Sequence, residues 1–137
     1  MRYLLDTNVH SELRKRRVDP SVAAWTRNAP PEDVALSVVS VFEGARGIAR
    51  LQRRDPVQAQ QLQVWLDGIL NEFRGRILGI ETAVMLAAGR LHAPDPRPAF
   101  DSLIAATALV HGLTVVTRNA KDFEPMGVPV INPWEQT

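Results

Sequence analysis

The chain has 137 residues and a mass of 15.2 kDa, the size of one domain that buries about 68% of the surface its unfolded form exposes. Hydrophobic residues make up 45% and charged ones 23%, which excludes disordered and collagen-like chains, and at this length a second domain is not expected. The net charge is +1, and with no cysteine there is no disulfide framework, thiolate metal site or cysteine nucleophile, as fits a reducing cytoplasm.

The first apolar run, Arg2 to Leu5, reads as a buried strand that stops abruptly at Asp6-Thr7-Asn8 in a turn or helix cap. Apolar residues at three- and four-residue spacing predict a helix over Ser21 to Asn28. A strand follows at Val34 to Ser37, then helices over Val39 to Gln52 and Pro56 to Phe73, divided by Arg53-Arg54-Asp55-Pro56. Arg76 to Gly79 is the third strand, and Thr82 to His92 the next helix. A proline-stiffened loop, His92 to Pro98, feeds a helix over Ala99 to His111, and strands are expected at Leu113 to Thr117 and Val128 to Ile131.

With neighbouring helices merged, the order is β-α-β-α-β-α-β-β. Parallel strands need crossover connections, so this alternation predicts an α/β fold with a mostly parallel sheet covered on both faces. No apolar run approaches the roughly 20 residues of a membrane helix. Asp6 also stands where a signal peptide has its apolar centre, so a cytoplasmic protein without a membrane partner is expected.

In an open parallel sheet, ligands bind beyond the carboxyl ends of the strands. Asp6, Glu43, Asp101 and Asp122 all fall just after strands or near helix starts, and Asn119 adds an amide at the same edge. Each acid also has a purely structural reading. Asp6 and Asp101 suit helix N-termini, Ser40 and Glu43 have the spacing of a capping box, and Asp122 suits a surface turn. Together, however, carboxylates from distant parts of the chain repel one another unless protonated or bridged by cations. Mg²⁺ or Mn²⁺, which prefer oxygen ligands and substrate phosphates, resolves that repulsion. Such an ion supports phosphodiester hydrolysis.

All the bases except Lys15 and Lys121 are Arg, whose planar fork suits phosphate oxygens, although a GC-rich genome makes the same exchange. Arg14, Lys15, Arg16 and Arg17 cluster soon after Asp6, while Arg46, Arg50, Arg53 and Arg54 share roughly one helix face past Glu43. These runs, with Arg118, are candidate RNA contacts, and a solvated surface is the plain alternative.

Several pieces match a known family in order along the chain. They are Leu4-Leu5-Asp6-Thr7-Asn8-Val9, Leu36-Ser37 with Ser40-Val41-Phe42-Glu43, Phe100 to Ala108 followed by His111 to Asn119, and Val130-Ile131-Asn132-Pro133-Trp134. In these the sequence resembles PIN-domain ribonucleases of the VapC type, the toxins of VapBC type II toxin–antitoxin pairs, with FitB-like features. The resemblance implies a three-layer α/β/α sandwich and a single PIN domain over residues 1–137. It also implies a Mg²⁺- or Mn²⁺-dependent endoribonuclease, a homodimer, and a VapB-like antitoxin that blocks the pocket. Asp6, Glu43, Asp101 and Asp122 would be the catalytic metal ligands, with Asn8, Thr117 and Asn119 orienting ligands or water from behind. Two positions depart from the family pattern. Asn119 stands where some members carry Asp, which moves the fourth carboxylate to Asp122, and Ser102 stands where Ala or Gly is common. Trp65, Leu66, Ile69 and Leu70 are candidate dimer contacts, or plain core.

Other chemistries lack their residues. A haloacid-dehalogenase-like phosphatase needs a second Asp where Asn8 stands, and a receiver domain needs an acidic pair beside Asp6. His10, His92 and His111 show no zinc-hydrolase spacing, and no nucleophile elbow, Walker loop or dinucleotide fingerprint is present. The remaining alternative is a catalytically silent RNA- or partner-binding module of the same fold.

Overall fold

The computed structural model describes residues 1–135. Strands β1 (Tyr3–Leu5), β2 (Val34–Ser37), β3 (Ile77–Leu78), β4 (Thr114–Val116) and β5 (Val130–Ile131) form one sheet in the order β3-β2-β1-β4-β5. Every pairing is parallel, with Leu4 opposite both Ala35 and Val115. The helices are α1 (Thr7–Leu13), α2 (Pro20–Asn28), α3 (Val38–Gln52), α4 (Pro56–Glu72), α5 (Thr82–Arg90), α6 (Ala99–His111) and α7 (Ala120–Phe123). This is the expected α/β/α sandwich, with a sheet that is wholly rather than mostly parallel.

The two-residue period of the strands divides the core into two layers. Leu4, Ala35 and Val115 face α3, α6 and α7, where they pack with Val39, Ile104, Ala105, Ala108 and Phe123. Their neighbours Leu5, Val34, Leu36 and Val116 face the other way, against Val9 of α1, Val22 of α2 and Phe73 at the end of α4. Strands buried on both sides read as continuous apolar runs, which is why the sequence marks them clearly. Fully burying a side chain such as Leu4 contributes about 1.5–3 kcal/mol.

Two helices escape sequence reading. α1 begins directly at Thr7, where only a turn or cap is expected, and α7 is a single turn inserted between the last two strands. The capping-box reading of Ser40 and Glu43 is also corrected. The N-cap of α3 is Ser37, whose side chain accepts a hydrogen bond from the Val39 amide, so the helix starts a turn earlier and frees Ser40 and Glu43 for other contacts. α5 stops at Arg90 rather than His92 because the next residues turn to start the proline-rich loop. Gly112 ends α6 in the left-handed conformation at φ 69°, which costs a residue without Cβ nothing.

Candidate active site

The sheet order reverses on the two sides of β1: from there the chain moves to β2 on one side and β4 on the other. That reversal leaves a crevice at the carboxyl ends of the strands. β1 ends at Asp6, β2 runs into the helix that carries Glu43, and β4 is followed by Thr117, Arg118 and Asn119. α6 brings Asp101 in its first turn. Asp6, Glu43 and Asp101 together line one cleft of about 440 Å³, with Thr7, Asn8, Arg118 and Asn119 on its walls.

Asp6 is held from several directions. Its Oδ1 accepts from the Thr7 amide at 2.8 Å, so the capping role read from sequence is real and coexists with the site. Its Oδ2 accepts from the Thr117 hydroxyl at 2.8 Å and from Asn8 Nδ2 at 3.3 Å. Asn8 Nδ2 also lies 3.2 Å from Thr117 Oγ1, and the Asn119 amide donates to that same oxygen at 3.0 Å. Thr7 Oγ1 stands 2.8 Å from Glu43 Oε1 and 2.9 Å from Ser40 Oγ. A hydroxyl has one proton, so Thr7 donates to the carboxylate and accepts from Ser40. One residue thus ties Asp6 through its amide and Glu43 through its hydroxyl.

Electrostatically the acids oppose one another. Burial lifts the Asp6 carboxyl above its ordinary value, the hydrogen bonds from Thr117 and Thr7 pull it back, and the Glu43 charge adds to the rise. Asp101 is pushed up to about 6, first by burial and then by the charges of Asp6, Asp122 and Glu43. Among the described residues no hydrogen-bond donor reaches the Asp101 carboxylate, and the one salt bridge, Lys15 to Glu12 at 2.9 Å, involves none of these acids. A half-buried carboxylate facing like charges without a donor is an unneutralised site.

That shortage fits a hard divalent cation. Among the described residues no three carboxylates or histidines already enclose a common point as a cage would. A hard cation that keeps several waters needs only one or two direct carboxylates.

Asp122 sits differently from the other acids. It is exposed on α7 and lines an adjoining hollow with Arg118, Asn119 and Asn132, while its charge is still felt at Asp101. Asn119 lines the main cleft itself. Of the candidate RNA contacts, Arg118 lies on the rim with its guanidinium over the Trp134 ring, 5.1 Å from the centroid. Arg14 lies over Trp65 at 5.7 Å, Arg46 stacks against Phe42 and Phe100, and Arg50 is exposed further along α3. Leu66 is buried against α3, while Trp65 and Leu70 beside it and Ile69 on the sheet layer are half-buried, with Trp65 and Ile69 also lining open hollows.

Sequence reading overlooks Glu12, assigns no role at the site to Thr7, Ser40 or Trp134, and takes Lys15 only as part of a basic cluster. Glu12 is buried at the cleft wall, its carboxyl held low first by the Lys15 hydrogen bond and then by the Asp19 amide. The i to i+3 spacing of Glu12 and Lys15 was the available signal for that pair. Ser102 also proves to be built in. Arg97 donates its amide to His92 Nδ1 at 3.3 Å, which leaves Nε2 to donate to Ser102 Oγ at 2.9 Å. Ser102 in turn donates to the Ala99 carbonyl at 2.7 Å. The chain pins the proline-rich loop to the helix turn that presents Asp101.

Comparison with known proteins decides the family. The model of the PIN domain matches residues 3–127. The chain belongs to the PIN-domain family. This PIN domain is 36% identical over 141 residues to VapC ribonuclease Y4jK of Sinorhizobium fredii (strain NBRC 101917 / NGR234), covering 96% of this chain and 97% of that protein. It is 37% identical over 139 residues to toxin FitB of Neisseria gonorrhoeae (strain ATCC 700825 / FA 1090), covering 96% of this chain and 97% of the toxin. The crystal structure of FitAcB from Neisseria gonorrhoeae superposes with a TM-score of 0.89 at 36% identity, over 98% of this chain and 99% of that one. Among the described residues, no helix is long and apolar enough to cross a membrane.

Proposed function

We propose that this PIN domain is a Mg²⁺- or Mn²⁺-dependent endoribonuclease, the toxin of a type II toxin–antitoxin pair, acting in the cytoplasm. The observation that carries the reading is the mutual repulsion of Asp6, Glu43 and Asp101 around one cleft, which a divalent cation and a phosphate substrate would relieve. Kinship to proteins named VapC ribonuclease and toxin FitB supports the substrate class and the toxin role.

One or two of Asp6, Glu43 and Asp101 would ligate the ion directly and the rest through its waters, with Asp122 adding negative potential from the side. When bound, a divalent ion activates water and neutralises charge developing on the phosphate. The chain's own contributions are positional and electrostatic. Thr117 and Asn8 fix the rotamer of Asp6, so its outward lone pairs keep one direction. Thr7 holds Glu43 against the same edge. Asn119 faces the cleft as a neutral amide where a further carboxylate would add repulsion. Arg118, stacked on Trp134, offers its donors to the RNA backbone at the rim.

The partner would be a VapB-like antitoxin, as relatives solved as FitAB and VapBC complexes suggest. A homodimer would draw on the exposed apolar residues Met85 and Leu86 of α5 and Leu109 and Val110 of α6, or on the half-buried Trp65, Ile69 and Leu70 of α4, while Leu66 is used inside the protomer. The experiment that tests the reading is RNA cleavage by the purified protein with and without divalent ion, beside Asp6→Asn.

A further inference from the structure

Two phenylalanines stand immediately before two of the acids: Phe42 before Glu43 and Phe100 before Asp101. They come from different helices, yet their rings meet edge to face with centroids 5.3 Å apart at 66°. Arg46, one turn along α3, covers both, its guanidinium carbon 5.4 Å from the Phe42 centroid and 5.2 Å from that of Phe100. Phe100 is anchored on the main core cluster, while Phe42 stays 50% exposed. Packing within the protomer does not account for an aromatic ring left in water beside an acidic cleft.

The spacing continues outward. Phe42, Arg46 and Arg50 lie at four-residue intervals on one face of α3, so the ring heads a basic stripe leading away from Glu43. An aromatic face next to cations that track a backbone is how proteins grip unpaired nucleotides, because every base has a π-face and only an unstacked base can offer it. The exposed apolar residues of α5 and α6 carry no such charge, so the platform's chemistry differs from that of a face made to meet a second copy.

We propose that Phe42, seated on Phe100 and capped by Arg46, is a base-stacking subsite for an unpaired nucleotide, adjoining the carboxylate cleft through the neighbouring residues Glu43 and Asp101. The proposal rests on the ribonuclease reading above. A base on Phe42 sets the phosphate beside it toward Glu43 and Asp101, while Arg46 contacts the next phosphate outward.

The test is fluorescence anisotropy with a labelled mixed-sequence oligoribonucleotide in EDTA, single-stranded or annealed to its complement, together with the salt dependence of binding. Phe42→Ala should weaken single-strand binding about five- to a hundredfold and change duplex binding less than about twofold, because a paired base has no free face to lose. Phe42→Trp should restore binding, whereas Phe42→Leu, equally apolar, should not. Arg46→Gln should reduce the salt slope for single strands by roughly 0.7. Wild-type affinity in Phe42→Ala, with wild-type protein still binding and cleaving RNA, overturns the subsite and leaves the nuclease standing. A wild-type protein that binds no RNA strand in EDTA or in Ca²⁺ and cleaves none in Mg²⁺ or Mn²⁺ overturns both. Conversion of a dimer to monomers by Phe42→Ala, with single-strand affinity unchanged, assigns the ring to a protein interface and also overturns the proposal.

Discussion

The Thr117 hydroxyl donates to Asp6 Oδ2 at 2.8 Å, joining the end of β4 to the end of β1 across 111 positions of sequence. Both residues are buried, so water cannot replace the bond once it is lost. The bond fixes the Asp6 carboxylate and favours its charged form against the burial that disfavours it.

Thr117→Val keeps the shape and removes the donor. The Asp6 carboxyl then rises further, and its rotamer loses a restraint. The expected result is a 10–100-fold loss of metal affinity or activity, in line with other residues that orient ligands from behind. Thr117→Ser should recover most of it. Mg²⁺ titrations of cleavage rate check this, and an unchanged titration in Thr117→Val would refute the role.

The charge of Asp101 costs the metal-free fold stability. Its carboxyl titrates at about 6 in the fold against 3.8 in the free residue, so ionising it above about pH 6 opposes folding of the metal-free protein. The folded state binds more protons between those values, and this contribution grows as pH falls from about 6 toward 3.8. Asp101→Asn removes the repulsion. Discounted for the solvent exposure of this half-buried group, the gain is about 1 kcal/mol at pH 7.5, a rise in Tm of roughly 2–4 °C. Melting curves in EDTA test it, and a variant less stable than wild type at that pH would count against the clustered charge. Added Mg²⁺ should raise the Tm of wild type and not of Asp101→Asn.

His10 gives stability the opposite pH dependence. The ring is buried, packs edge to face on Phe73 at 5.4 Å, and leaves Nε2 without a hydrogen-bond partner among the described residues. Burial lowers its pKa from 6.5 to about 4, so the unfolded chain takes up a proton first as pH falls. Stability is unaffected by this group above about pH 6.5 and declines from there to about pH 4, by on the order of 3 kcal/mol. His10→Leu should lose that decline. Urea denaturation of both proteins in EDTA at pH 7 and pH 4.5 isolates the effect, since Asp6 and Asp101 are common to both. Parallel stabilities at the two pH values would contradict it.

Much of this was legible in the sequence because parallel strands with both faces covered carry unbroken apolar runs, and Leu4, Ala35 and Val115 each sit where those runs predict. α1 was not legible: a seven-residue helix offers too few turns to show a period, and Asp6 reads equally as strand end and cap. Ser37 and Ser40 are both competent caps of α3, and only the Val39 amide, bonded to Ser37, separates them. The acids are legible because each stands just after a strand or near a helix start. Thr7 and Ser40 were missed because common hydroxyl residues acquire meaning only when the fold sets them against Glu43. Trp65 and Leu66 read alike as core or interface, and the packing of α3 on α4 separates them by burying Leu66 and leaving Trp65 half-buried.

Metal-dependent cleavage by the Asp6 cleft is tested most directly by incubating purified protein with a mixed pool of RNA in Mg²⁺ or Mn²⁺ and in EDTA, with Asp6→Asn prepared alongside. The expected result is cleavage that needs the ion and falls to the EDTA background in the variant while the fold is kept. Cleavage by Asp6→Asn at the wild-type rate, or equal cleavage in EDTA, would contradict it.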